Sequence, residues 1–99
     1  MTDLCTEIEK LGKGIGNASR YRLVQALLNG PKTVSELVKL TGFSQPLVSQ
    51  HLRTLKECEL VSDERKGQEV EYQVNSEYML MLLKSLSESV QKDKHKPSE

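Results

Sequence analysis

Residues 43–55 carry the side chains whose types and spacing are most informative about the chemistry of this chain. The apolar members recur every three or four residues, as on one side of an amphipathic helix: Leu47, Val48, Leu52 and Leu55. The other positions hold hydrogen-bonding side chains: Ser44, Gln45, Ser49, Gln50, His51 and Arg53. Ser, Gln and Arg hydrogen-bond to base edges in the major groove of DNA, whereas solvated helix surfaces are usually rich in Glu and Lys. The segment therefore predicts an amphipathic helix that binds nucleic acid through its polar face.

The charge distribution suits this interpretation, although the formal net charge is zero. Residues 10–66 contain ten Lys/Arg and five Asp/Glu, a net charge of +5, while the remaining residues contain four basic and nine acidic side chains, a net charge of −5. A neutral total can therefore conceal a basic surface, which is the electrostatic requirement for binding phosphates.

Apolar periodicity and capping residues predict the elements that position this helix. Helices are predicted over residues 3–15, Ala18 to about Leu28, Thr33 or Val34 to Gly42, Ser44 to Leu55, and Ser76 to about Val90. Residues 61–66 and 69–74 predict a β-hairpin around Gly67-Gln68. Together these are the parts of a winged helix-turn-helix. We predict a mainly α fold with a small β-hairpin wing (α+β), one domain over residues 1–91, and a polar, disordered tail over residues 92–99.

Composition narrows the class of protein further. No apolar run approaches the roughly 20 residues that span a bilayer, and the start does not look like a signal peptide, so we expect a cytoplasmic protein without a membrane partner. Its two cysteines, Cys5 and Cys58, suit a reducing compartment. No Ser/His/Asp or Cys/His motif supports an enzyme, and no cofactor motif is recognised.

Three segments resemble the ArsR/SmtB family of bacterial winged-helix repressors. Residues 11–23 (LGKGIGNASRYRL) resemble the family's entry into its second helix, residues 44–52 (SQPLVSQHL) its recognition helix, and residues 55–61 (LKECELV), with Gly67 and Tyr72, its exit into the wing. The resemblance implies a homodimer, joined through the first and last helices, that represses an operator. The polar residues of the recognition helix would then meet bases or phosphates of double-stranded DNA.

The resemblance also assigns parts to the wing and to the last helix. Arg65 and Lys66 would contact the DNA backbone, with Gln68 standing where the family commonly has Arg. The apolar side of the last helix would form core or a dimer seam: Met79, Leu82, Leu83, Leu86 and Val90. The alternative function is a winged-helix module that binds another protein and has no inducer site.

An inducer of such a repressor could act through the two thiols. Cys58 and Cys5 resemble two cysteines of the cadmium- and lead-sensing branch of the family, and Thr54 occupies the position of a third. Three interpretations remain open: a soft-metal site, a thiol switch formed by oxidation or persulfide chemistry at Cys58, and two ordinary cysteines. No complete metal site is predicted.

Overall fold

The computed structural model describes residues 4–94, which contain five helices and three strands. In chain order these are α1 (Leu4–Ile15), α2 (Ala18–Leu27), β1 (Lys32–Thr33), α3 (Val34–Thr41), α4 (Gln45–Glu57), β2 (Val61–Lys66), β3 (Glu69–Val74) and α5 (Ser76–Lys94). The predicted helices and hairpin are all present near their predicted bounds. The predicted fold class, mainly α with a β-hairpin wing, is confirmed.

Side chains beside the helix ends explain where the central helices begin and end. The Asn17 side chain accepts a hydrogen bond from the backbone N–H of Arg20 (3.1 Å) and caps α2. Thr33 and Glu36 form a capping box at the start of α3. Gly42 ends α3 with φ 75°, a left-handed conformation that glycine adopts without a clash of Cβ. The chain can therefore turn sharply between α3 and α4.

The three strands form one antiparallel sheet in the order β1-β3-β2. The sequence pattern does not predict β1, whose Lys32 pairs with Tyr72 of β3. Two residues are too few to show the alternation that identifies a strand, so only the pairing with β3 defines it. This pairing attaches the segment that precedes α3 to the wing.

The core lies between α2, α3, α4 and the start of β2. Its buried side chains are almost all aliphatic: Leu23, Val24, Leu27, Leu37, Val48, Leu52, Leu55, Cys58, Leu60 and Val61. Full burial of one such aliphatic side chain is worth about 1.5–3 kcal/mol. Because α4 contributes three of the aliphatic residues, its inner side is firmly packed.

The apolar side chains of α5 divide into two groups. Leu82 is buried and Met79 packs against the core cluster. Leu83, Leu86 and Val90 are instead 51%, 40% and 57% exposed. These three lie three or four residues apart and therefore form one stripe along α5, which a single chain leaves in contact with water.

The C-terminal end of α5 differs from the predicted boundary. The helix continues to Lys94 and includes the first residues of the segment that we expected to be a disordered tail. Residues 1–3 and the remainder of the predicted tail, residues 95–99, lie outside the described part of the chain. Within residues 4–94, no helix is both long enough and apolar enough to span a membrane.

Candidate nucleic-acid interface

The first turn of α4 is capped and carries no acidic side chain. The Ser44 hydroxyl accepts a hydrogen bond from the backbone N–H of Leu47 (3.3 Å), and the Ser44 carbonyl accepts one from the N–H of Val48 (3.0 Å). Pro46 lies in this turn, where its missing N–H removes no intrahelical bond. The positive end of the helix dipole is therefore available to an anion.

A row of hydrogen-bonding side chains runs along the exposed side of α4. Gln45, Ser49 and Arg53 are spaced four residues apart, so they lie above one another on the helix surface. Gln50 lies beside this row, and all four residues are exposed. Because the opposite side of α4 is packed in the core, the row is presented to solvent on a rigid support.

His51 does not belong to this exposed surface. Its residue exposure is 8%, so the expectation that it lies on the polar face is wrong. His51 follows Val48 by three residues and precedes Leu55 by four, and this spacing places it on the packed side of α4. Burial lowers the pKa of His51, and the positive charge of nearby Arg20 lowers it further. The imidazole is therefore a neutral core group beside α2.

The wing presents its two cations next to the hairpin turn. Arg65 and Lys66 are both exposed at the end of β2. The Lys66 ammonium lies 3.9 Å from a carboxylate oxygen of Glu64 and 3.9 Å from one of Glu71. Exposed ion pairs of this kind contribute little to stability, but the two carboxylates reduce the positive potential around Lys66. Arg65 is therefore the better placed of the two to attract a phosphate.

A concave surface connects α4 with the wing. The Lys56 ammonium lies 2.9 Å from a carboxylate oxygen of Asp63, and this ion pair raises the pKa of Lys56. The depression beside the pair has a volume of about 230 Å³ and is lined by Ser49, Leu52, Arg53, Lys56 and Tyr72. Lys56 was not among the predicted site residues, although it follows Ser49 by seven residues, a helical spacing that places both on one side of α4.

Residues 58–60 form a tight turn, the α4–β2 turn, against which α1 packs. Cys58 ends α4 and is 4% exposed, Glu59 has a φ of 64°, and the N–H of Leu60 donates to the carbonyl of Leu55 (2.9 Å). A Cβ placed on Gly14 of α1 would lie only 2.2 Å from Cδ1 of Leu60. A Cβ at position 14 would therefore force the Leu60 side chain to move, so glycine allows the close contact between α1 and this turn.

Polar contacts connect the same turn to α1 and α5. The Lys10 ammonium of α1 contacts the Glu59 carboxylate, which raises the pKa of Lys10. Asn75, directly before α5, donates from its side-chain nitrogen to the Glu59 carbonyl (3.1 Å) and from its backbone N–H to the Leu60 carbonyl (2.9 Å). The end of α4 is thus attached both to the first helix and to the last.

The two candidate sensing residues lie in different elements. Cys58 is a free, buried cysteine in the α4–β2 turn, and Cys5 belongs to the first turn of α1. Over the part of the chain that the structure describes, no three His, Cys, Asp or Glu side chains are grouped to hold a metal ion.

The helices and the hairpin form a winged helix-turn-helix with an exposed polar row on α4. Residues 17–63 match the family described as bacterial regulatory protein, arsR family. The chain is 34% identical over 64 residues to the transcriptional repressor SdpR of Bacillus subtilis, covering 65% of this chain and 71% of SdpR. The chain therefore belongs to the ArsR family of DNA-binding transcription regulators.

One further similarity supports the family, and another supports the fold. The chain is 30% identical over 73 residues to the arsenical resistance operon repressor of Staphylococcus xylosus, covering 74% of this chain and 70% of that repressor. In structure it is similar to the homodimeric winged helix-turn-helix DNA-binding domain of a possible ArsR-family regulator from Mycobacterium bovis, with a TM-score of 0.72, 23% identity and coverage of 100% and 97%. Because the relatives are transcription regulators, the expectation that this chain is not an enzyme is confirmed.

The buried position of His51 predicts how stability depends on pH. Its folded pKa lies below the ordinary value of 6.5, so the unfolded chain binds the proton more readily. The stability from neutral His51 is therefore full above the ordinary pKa and is lost as the pH falls toward the folded pKa. We expect the free energy of unfolding to decrease as the pH falls below the ordinary pKa of 6.5, and this decrease to be smaller in His51→Leu.

Urea unfolding at several pH values measures this effect. A His95→Gln background removes the other histidine from both proteins. If the free energy of unfolding decreases equally with falling pH in His51→Leu and in the protein that keeps His51, then His51 is not a buried neutral group.

Proposed function

We propose that this chain represses transcription by binding operator DNA as a homodimer in the bacterial cytoplasm. The observation that carries the proposal is the exposed Ser/Gln/Arg row on α4, whose opposite side is buried. An α-helix with its side chains is about 10–12 Å wide, and the major groove of B-DNA is about 12 Å wide. The row on α4 would therefore face base edges when the helix lies in the groove.

The side chains of α4 suit different parts of the DNA. Gln45 and Gln50 can each donate to and accept from adenine, and Arg53 can donate two hydrogen bonds to guanine or to a phosphate. Ser49 is short enough to sit between them and hydrogen-bond to a base or a backbone oxygen. Ser44, at the N-terminus of α4, would lie where the helix dipole favours a phosphate.

The wing would supply sequence-independent affinity. Arg65 and Lys66 lie on the hairpin beyond the concave surface that joins it to α4, so they can reach backbone phosphates beside the groove. Glu64 and Glu71 beside Lys66 oppose this attraction. We therefore assign the larger wing contribution to Arg65.

The homodimer would form around the apolar stripe of α5, with α1 alongside. Leu83, Leu86 and Val90 are exposed in the single chain, and burying such a stripe against its own copy is favourable. The structural neighbour from Mycobacterium bovis is described as homodimeric. In a two-fold dimer the two α4 helices would enter successive major grooves, roughly 34–36 Å apart.

Release from DNA would begin at Cys58. This thiol is buried in the α4–β2 turn, where contacts from α1 and from the start of α5 meet the end of α4. A thiophilic metal ion would replace the thiol proton, and a peroxide would transfer one oxygen atom to the sulfur and leave as water. Either product is larger and more polar than the thiol, so it would disturb the packing that orients α4. The similar repressor from Staphylococcus xylosus belongs to an arsenical resistance operon, and arsenic is thiophilic.

Base recognition is tested with Ser49→Ala/Gln50→Ala. Loss of a good base contact costs about 1–3 kcal/mol of discrimination, so we expect operator affinity to fall roughly tenfold or more while affinity for unrelated DNA changes little. Ser62→Ala/Gln73→Ala is the matched control, because these two residues pair across the hairpin near its base. Fluorescence anisotropy with both duplexes measures the affinities.

The outcome also separates the two candidate functions. Unchanged operator affinity in the α4 variant would remove these residues from the recognition surface. Absence of any duplex binding by the wild-type protein would instead favour a winged-helix module that binds another protein.

The dimer surface is tested with Leu83→Gln/Leu86→Gln. Both side chains are exposed in the single chain, so the fold should persist while the dimer dissociates to monomers at micromolar concentration. Met81→Gln is the control, because Met81 is also exposed but lies on another side of α5. Analytical ultracentrifugation distinguishes the species, and dimers of equal stability in all three proteins would overturn this interface.

The sensing residue is tested with Cys58→Ala, and Cys5→Ser is the matched thiol control. We expect cadmium, arsenite or hydrogen peroxide to release the wild-type protein and Cys5→Ser from operator DNA, and Cys58→Ala to remain bound. Anisotropy before and after each reagent measures release. A response of Cys58→Ala equal to that of the wild type would show that Cys58 is only a core residue.

A further inference from the structure

A second cleft, lined by basic and amide side chains, is not used by the proposed contacts of α4 and the wing. It lies between α2, Lys32 of β1 and the C-terminal end of α3, and its volume is about 350 Å³. Its lining includes two cations, Arg22 and Lys32, and two amides, Gln25 and Asn29. None of the lining residues is acidic. We call this surface the α2–β1 cleft.

The α2–β1 cleft lies next to the start of α4. The Arg22 guanidinium carbon is 5.9 Å from the centre of the Phe43 ring, and Phe43 directly precedes the N-cap residue Ser44. Phe43 is held in turn by Thr41, whose hydroxyl accepts a hydrogen bond from the Phe43 N–H (3.2 Å). The position of Arg22 is therefore linked to the turn that leads into α4.

We propose that the α2–β1 cleft binds a backbone phosphate of the DNA whose major groove receives α4. This inference rests on the proposed function. When the N-terminus of a helix enters a groove, the residues just before it come close to the groove edge, where the phosphates lie. Arg22 and Lys32 supply charge, and the two amides can donate hydrogen bonds to phosphate oxygens.

The composition of the cleft favours this occupant over an apolar ligand. The Arg22 guanidinium lies over the Phe43 ring, and the Lys32 ammonium donates a hydrogen bond to the Gly30 carbonyl (3.4 Å). Neither contact neutralises the positive charge of its side chain. Leu40 is the one large apolar residue in the lining, and it is 59% exposed. An anion that remains partly hydrated fits such an open, basic surface better than a ligand that needs burial.

The test compares the salt dependence of duplex binding for the wild type, Arg22→Gln, Lys32→Gln and Arg22→Lys. Each lost phosphate contact reduces the slope of log K against log salt by about 0.9, so a homodimer with two clefts should lose about 1.8. We expect this loss in both Gln variants and not in Arg22→Lys. Affinity for operator and for unrelated DNA should fall by the same factor, because a phosphate carries no sequence information.

Lys84→Gln is the charge-matched control, because Lys84 is an exposed residue of α5 outside the cleft. The inference fails if Arg22→Gln and Lys32→Gln have the same slope and affinity as Lys84→Gln while the wild type binds DNA. If the wild type binds no duplex, the proposed function itself fails. Isothermal titration with inorganic pyrophosphate at constant ionic strength tests for a free anion. The DNA assignment would be overturned if the wild type bound pyrophosphate saturably, both Gln variants lost this binding, and the salt slope of their duplex binding equalled that of the wild type.

Discussion

The packing of Val48, Leu52 and Leu55 in the core is the constraint that sets the position of α4, and the α4–β2 turn adds contacts at the end of that helix. A side chain at Gly14 would collide with Leu60, so hydrogen at this position allows α1 to lie directly against the turn. Leu60 also accepts a hydrogen bond from Asn75 and donates one back to Leu55. One short turn thereby connects the end of α4 with the first helix, the last helix and the core.

The start of α4 is held by separate and more local means. Gly42 turns the chain after α3, and Ser44 caps the new helix. With both ends fixed and the inner side packed, α4 presents its exposed row with little freedom to tilt. Such preorganisation matters for recognition, because a side chain that must hydrogen-bond to a base edge loses the contact when its helix shifts by a small distance.

Local charge matters more than total charge for a surface of this kind. Exposed charges farther apart than about 8–10 Å are largely screened at physiological salt, so the potential at a surface is set by the charges close to it and not by the net charge of the chain. Arg53 and Lys56 on α4, Arg65 on the wing and Arg22 with Lys32 in the α2–β1 cleft are all in the basic middle of the sequence. A chain with zero net charge can thus present an extended cationic surface.

The sequence by itself determined the elements and the chemistry of the exposed row. Helical periodicity, the Ser44 and Asn17 caps and the hairpin pattern are local signals, because neighbouring residues produce them without help from distant parts of the chain. The same periodicity placed Gln45, Ser49 and Arg53 together. Applied more strictly, it would also have placed His51 beside Val48 and Leu55 on the packed side.

Only the tertiary structure decided the features that depend on residues far apart in sequence. β1 exists because Lys32 pairs with Tyr72, and the close contact at Gly14 exists because Leu60 packs against it. The cleft joins Arg22 and Lys32 to the end of α3, and the exposed stripe of α5 appears once Leu82 is placed in the core. The physical reason is the same in each case: hydrogen bonding and capping act between near neighbours, whereas close packing depends on which surfaces the folded chain brings together.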